Sequence, residues 1–386
     1  MEIGIDKIDF YAPNHYLDLV DLAHARNEDP NKYLIGIGQN KMTVPYADQD
    51  TVAMAANAAD KMLTDEDRAQ IGLVILGTES GIDQSKASTL FVHDLLRITA
   101  NARSFEIKEA CYGATAGLQT ARDYVITHPD RKALVIASDI ARYGLKTPGE
   151  VTQGAGAVAM LISKNPHILG LESQTVYQSR STDDFWRPNY SPVAYARGKY
   201  SEEVYLDMFN QIWDEATKQG LVDADNLAAQ IFHIPFSKMG RKGLRTLADK
   251  LSAKNYQRLT NRFEKSILYG KEVGNIYTGS LYLSLLSLLD NDASLQSGDR
   301  IGLFSYGSGS VAELFFGKLV PGYRNYLQKD KHQTELKRRI RLTMPEYEKA
   351  FQQGIVKADK DQQFVQTDSK YPHYLEKIEN HERFYK

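Results

Sequence analysis

One pattern occurs twice in the chain and limits the folds open to it. "ALVIASDIARY…GAGAVAMLIS" (133–163) and "DRIGLFSYGSGSVAELFFGKL" (299–319) each run a buried strand into Gly-X-Gly-X-Val-Ala and a second apolar strand. Each is preceded by a small-residue segment with helical character, "CYGATAGLQTA" (111–121) and "NIYTGSLYLSL" (275–285). The same two motifs in the same order imply two superposable halves. Strands alternating with helices make the fold α/β, with helices covering sheet faces. Equivalent loops of such halves meet at a pseudo-symmetric centre, which predicts Cys111 facing Asn275.

Other elements fill in this frame. "LVILG" (73–77) and "QIFHIP" (230–235) are short, apolar and β-branched or aromatic, and read as further buried strands. From Ala114, small or apolar residues recur at Gly117, Leu118, Ala121, Tyr124 and Val125, the spacing of one helix face. "TGSLYLSLLSLLD" (278–290) is apolar on nearly every side and predicts a central helix. No Pro- or Ser-rich linker separates the halves. The chain divides into a first half with the cysteine (1–165), a second half with a histidine and an asparagine (166–325), and an extension (326–386). The extension is charged, holds a helix start in "TMPEYE" (343–348), and reads as a solvated segment packed on the body.

Charge and cysteine usage exclude several functions. Lys plus Arg number 47 against 49 Asp plus Glu, and a net charge of −2 argues against non-specific nucleic-acid binding. A single cysteine permits no intramolecular disulfide and fits a reducing compartment. The start, "MEIGIDKIDFYAPNHYLDLVDLA", has no export-signal pattern, and runs such as "IGLVILG" and "LYLSLLSLL" are too short to span a bilayer. A cytoplasmic protein is expected. "GAGAVA" lacks the third glycine of a dinucleotide fingerprint and leads into a strand, and no Cys–His spacing suits a metal. Neither cofactor nor metal is expected.

The lone Cys111 stands where a helix begins. Unpaired N–H groups and the helix dipole there favour thiolate and could hold an oxyanion. The residue reads either as a nucleophile or as a small buried hydrophobe. Glu79, in "ILGTESGID" (75–83), lies in a loop after a buried strand, where α/β folds place their sites. Of the nine histidines, His233 alone sits in a buried-strand pattern, followed by Lys238, Arg241 and Lys242 on a helical turn. That basic turn is either a solvated face or a phosphate contact. Asn275 and Ser308, taken alone, pass as turn residues.

"EACYGATAGL" (109–118) resembles the nucleophile segment of the thiolase superfamily, and specifically of the 3-hydroxy-3-methylglutaryl-CoA synthases. The similarity runs from "KYLIGIGQNKM" (32–42) through "FSYGSGSVAELF" (304–315) into the tail. It implies a layered αβαβα thiolase-like fold of two duplicated halves and a condensation of acetyl-CoA with acetoacetyl-CoA in the mevalonate route to isoprenoids. By resemblance, Cys111 is the nucleophile, Glu79 removes a methyl proton and His233 polarises the acetoacetyl-CoA carbonyl. Thr152, Ser201, Asn275 and Ser308 contact the acyl groups, Ser308 through a backbone N–H to an oxyanion. Lys238 and Lys242 contact coenzyme A. The resemblance also implies a homodimer, and the compact chain looks like the bacterial members. A ketoacyl-carrier-protein synthase of the chain-initiating type would leave Glu79 unexplained. A biosynthetic thiolase would need a second cysteine that this chain lacks. The remaining alternative is a non-catalytic acyl-CoA-binding protein.

Overall fold

The computed structural model describes residues 2–223, 225–353 and 360–386. Ten strands form its main sheet: β1 (Ile3–Tyr11), β2 (Ile71–Gly77), β3 (Arg103–Ile107), β4 (Lys132–Ala141), β5 (Gly154–Lys164), β6 (Leu169–Leu171), β7 (Val176–Ser179), β8 (Leu227–Phe232), β9 (Arg300–Gly307) and β10 (Val311–Leu319). Their spatial order is β8-β9-β10-β6-β1-β5-β4-β2-β3, with β7 also pairing β10. Duplication is visible in the ladders. In the first half β1 and β5 are antiparallel, β5 and β4 antiparallel, and β4 and β2 parallel. In the second half β6 and β10, then β10 and β9, are antiparallel, and β9 and β8 parallel.

The repeated motif is the hairpin of each half, with an instructive difference. In the second half the strands close tightly, Gly307 pairing with Val311, so Ser308–Ser310 form the turn. In the first half Ala137 pairs Val158 at the matching place, but the ladder continues to Ala141 and Gly154. "GAGAVA" is therefore strand, and "GSGSVA" is turn and strand.

Alternation along the strands builds the layers. Leu73 and Ile75 of β2 face inward, while Val74 and Leu76 face outward. Ile301 and Leu303 of β9 face inward, while Phe304 and Tyr306 face outward. Between the inner faces lie α2 (Gly113–Thr127) and α6 (Ser280–Asn291), after α1 (Thr51–Asp60) has covered the outer face of the first half. The other outer face is covered by α3 (Gly198–Lys218), α4 (Ser237–Arg245) and α5 (Ala253–Ser266). Leu285, Leu286, Leu288 and Leu289 are wholly buried, which accounts for the all-round apolar pattern of α6. Burying each is worth about 1.5–3 kcal/mol.

The extension reaches into the body at two places. Ile340–Arg341 adds a strand parallel to His15–Tyr16. His332 is fully buried, with its two ring nitrogens 3.1 Å from Asp9 on β1 and 2.7 Å from Asp290 on α6. A buried charge needs partners on several sides, and here they come from both halves, so the extension is a structural clamp. Among the described residues, no helix is long and apolar enough to cross a membrane.

Candidate active site

Three features of the backbone bring the loops of the two halves together. The β2 strand ends at Gly77, where an added Cβ would lie 2.4 Å from the Ala114 nitrogen. At the end of β9, a Cβ on Gly307 would lie 2.6 Å from the Glu109 carbonyl oxygen. Only glycine lets both strand ends approach the nucleophile loop this closely. Ala110, just before Cys111, is held at φ 43°, and Tyr277 takes φ 44° in the second half. Each lies three residues before the first residue of its central helix, Gly113 or Ser280. Such backbone strain in non-glycine residues concentrates at functional sites. The matching offset makes Thr278 the counterpart of Cys111 in the second half, three residues beyond Asn275. Thr278 lies beside the nucleophile helix, its methyl 3.7 Å from where a Gly113 Cβ would stand.

Cys111 donates its thiol hydrogen to Glu79 Oε1 across 2.9 Å. This contact joins the only thiol to a carboxyl group, and it changes the expected state of the sulfur. Cys111 precedes α2 rather than lying in it, and the N–H groups of Tyr112 and Gly113 already donate to the carbonyls of Glu109 and Ala110. Burial, with the carboxylates of Glu79, Asp139 and Asp184 adding to it, pushes the thiol pKa well above its usual range. The resting sulfur is a neutral thiol, not the thiolate that the helix end suggested. Glu79 is pushed up as well, to about 8, by burial first and the negative charge of Asp139 second.

Asp139 organises this corner. Its carboxylate accepts from the Glu79 backbone N–H (2.8 Å), Thr78 (2.9 Å), Ser80 (2.8 Å) and Thr278 (2.5 Å). Burial raises its own pKa against those donors. Sequence reasoning missed it, although an Asp closing the apolar run "ALVIAS" was a signal, since unpaired carboxylates are rarely buried. Asp184 is a second omission. It accepts from Tyr306 (2.8 Å), the Gly309 N–H (2.9 Å) and Ser201 (3.1 Å), pinning the Ser308 turn to α3. Phe185 beside it packs on Tyr143 and Tyr277, with ring centroids 5.9 and 5.8 Å away.

The other expected residues are placed as follows. Strand β8 ends at Phe232, so His233 follows the strand instead of lying within it. Its N–H donates to Phe304, its carbonyl accepts from Tyr205, and its Nδ1 has no partner. Burial lowers its pKa to about 3, leaving a neutral imidazole. Asn275 Oδ1 accepts from the Tyr277 N–H (2.9 Å) and Ser280 (3.0 Å), while the buried Nδ2 is unpartnered. Two orphaned buried polar groups are costly unless a ligand satisfies them. Ser308 and Glu79 line one cavity of about 1030 Å³, together with Ala110, Arg142 and Arg187. Thr152 Oγ1 donates to the Gly149 carbonyl just before β5, and the Ser201 hydroxyl is engaged by Asp184. On α4, Lys242 pairs with Glu202 and Arg241 with Glu264, whereas Lys238 makes no ion pair among the described residues.

Comparison with known proteins places this site in a family. Residues 1–167 match the hydroxymethylglutaryl-coenzyme A synthase N-terminal model and residues 245–386 the C-terminal model. A hydroxymethylglutaryl-CoA synthase of Enterococcus faecalis is 52% identical over 92% of this chain and 93% of its own. The chain belongs to the hydroxymethylglutaryl-CoA synthase family. Among solved structures, an HMG-CoA synthase complexed with CoA superposes with a TM-score of 0.97 at 47% identity, covering 100% of this chain and 99% of that one. MvaS in complex with 3-hydroxy-3-methylglutaryl coenzyme A gives a TM-score of 0.90 at 35% identity, with the same coverage. The layered thiolase-like fold expected from the resemblance is thereby established, and the ketoacyl-synthase and thiolase alternatives fall away.

Proposed function

We infer that the protein condenses acetyl-CoA with acetoacetyl-CoA and water to give 3-hydroxy-3-methylglutaryl-CoA and CoA. The observation that carries this reading is the 2.9 Å contact between the only thiol and a carboxyl group of raised pKa. A nucleophile that forms a thioester and a base for the thioester's methyl group must share one small volume. The thiol first attacks acetyl-CoA, its proton passing to the Glu79 carboxylate and then to departing CoA. The ionised Glu79 next removes a proton from the acetyl methyl, and the resulting carbanion adds to the ketone of acetoacetyl-CoA. A base matched in pKa to the working pH is what this step requires. His233, being neutral, donates a hydrogen bond to the ketone oxygen as it becomes an alkoxide, the proton taken up by Glu79 passes to that oxygen to give the hydroxyl, and Asn275 Nδ2 is a second free donor. The backbone N–H of the Ser308 turn supports the thioester oxyanion. Water then cleaves the thioester to Cys111.

Thr152 and Ser201 belong to the walls of the acyl site. Lys238, which makes no ion pair among the described residues, is the cation for a coenzyme A phosphate, and Lys242 serves only by exchanging Glu202 for that phosphate. CoA thioesters are the substrates, with no further cofactor or metal. A cytoplasmic homodimer supplying the mevalonate route completes the reading, supported by kinship with the bacterial enzymes. Purified protein is incubated with acetyl-CoA, with and without acetoacetyl-CoA, and the products are identified by mass spectrometry. Hydroxymethylglutaryl-CoA appears only with both substrates, and Cys111→Ser abolishes both acetylation and product. Turnover by Cys111→Ser near the wild-type rate would overturn the covalent route.

A further inference from the structure

The last step of the proposed reaction changes the charge of the group held in the site. The neutral acyl group on Cys111 becomes a carboxylate: water adds to the thioester carbonyl and the C–S bond breaks. The sulfur takes one proton and a second goes to solvent. The new anion forms among acidic neighbours, since Glu79, Asp139, Asp184 and Glu109 all act on this corner. An unpaired carboxylate there is repelled. A cation must receive it.

The cavity walls contain five cations, of which, among the described residues, Arg383 alone holds an ion pair and Arg187 alone is half-buried with neither a hydrogen bond nor a ring contact. Arg383 pairs with Asp50 at 2.8 Å, and Arg142 donates to the Phe351 carbonyl at 3.0 Å. Lys86 sits 3.7 Å over the Phe91 ring, and Lys108 is exposed. Arg187 is half-buried, lines the same cavity as Glu79 and Ser308, and makes no ion pair or hydrogen bond among the described residues. Its strap is fixed from behind by Asp184 and by Phe185 against Tyr143 and Tyr277. We propose that Arg187 is the receptor for the carboxylate released from Cys111, drawing product out of the acyl site and speeding the hydrolytic step. A planar fork of N–H donors suits a carboxylate, whereas the acetyl and acetoacetyl groups that enter the acyl site carry no charge for it to meet.

This rests on the condensation reading, and one assay separates the two. Wild type, Arg187→Gln and Arg187→Lys are quenched during turnover and weighed intact. In Arg187→Gln the condensed adduct, enzyme thioester plus hydroxymethylglutaryl-CoA, accumulates and kcat falls about tenfold, the scale of one charge-assisted hydrogen bond. The inhibition constant of hydroxymethylglutaryl-CoA rises about tenfold, while Cys111 acetylation and the KM for acetoacetyl-CoA stay within about twofold. Arg187→Lys, which keeps the charge, recovers most of both effects. Absence of the adduct with unchanged product inhibition would refute the role, as would acetylation falling in step with kcat. Wild type yielding no hydroxymethylglutaryl-CoA would instead refute the parent reading.

Discussion

Replacing Glu79 by Gln separates the two chemical steps, because the glutamine keeps one function of the carboxylate and loses the other. Its side-chain oxygen can still accept the thiol hydrogen at about the 2.9 Å seen for Glu79 Oε1. The negative charge, which after burial contributes most to holding the thiol pKa up, is gone. Losing the base slows thiol deprotonation and losing the charge eases it, so acetylation of Cys111 should stay within about tenfold of wild type. Nothing offsets the loss for the methyl proton. General-base removal is worth about 10²–10⁴ in rate, and a drop of about 10³ in condensation, or about 4 kcal/mol, is expected. The pH dependence carries the same signature. With a carboxyl pKa of about 8, the base must be ionised to act, so wild-type condensation rises tenfold per unit towards a plateau above pH 8. At pH 7 only about one tenth of the plateau rate is available. The apparent pKa belongs to the Glu79–Asp139 corner as a whole. The assay follows acetyl-enzyme by intact mass with acetyl-CoA alone, then product after adding acetoacetyl-CoA, from pH 6 to 9.5. Condensation within tenfold of wild type would refute the base assignment. Acetylation lost as severely as condensation would make Glu79 chiefly the base of the thiol.

Two further outcomes follow from groups whose ionisation burial has shifted. For His233→Ala, the KM for acetoacetyl-CoA should rise at least tenfold and acetylation should persist. Because burial holds its pKa near 3, the wild-type rate should show no histidine limb between pH 5 and 7, and finding one removed by the substitution would disprove the neutral role. For His332→Gln the readout is stability. Burial opposes its charge, but hydrogen bonds to Asp290 and Asp9 prevail and raise its pKa to about 9. A raised histidine pKa contributes stability that is full below the unfolded value near 6.5 and disappears as pH climbs through 9. At pH 7 the contribution is about 3 kcal/mol. The melting temperature of wild type should therefore fall between pH 7 and 10, and that of the variant should be lower at pH 7 and flatter across the range. Equal pH slopes would show that His332 is not charged in the fold.

Much of the site could be read before folding was considered. The lone cysteine, the small residues behind it and the glutamate after an apolar strand are local features, and the structure joins Cys111 to Glu79 directly. Less legible were residues whose importance comes from company. Asp139 lies just past the apolar run read as strand, and its partners Thr78, Ser80 and Thr278 come from two other stretches of the chain. His332 looked like part of a charged tail, yet its carboxylate partners lie on the first strand and the central helix.

Strand and helix positions, the duplicated plan and the identity of the thiol follow from the amino-acid order, because periodicity and small-residue packing are properties of neighbours along the chain. The protonation state of that thiol does not. A helix start by itself predicts a lowered cysteine pKa, and the folded protein raises it. The balance is set by desolvation and by carboxylates that only the layered packing brings within reach. The same holds for Arg187, an ordinary loop arginine in the sequence, which the fold leaves half-buried beside Glu79 with no ion pair among the described residues. Local order determines which groups are present, and tertiary structure decides their charge, because electrostatic energy depends on distance through space and on exclusion of water.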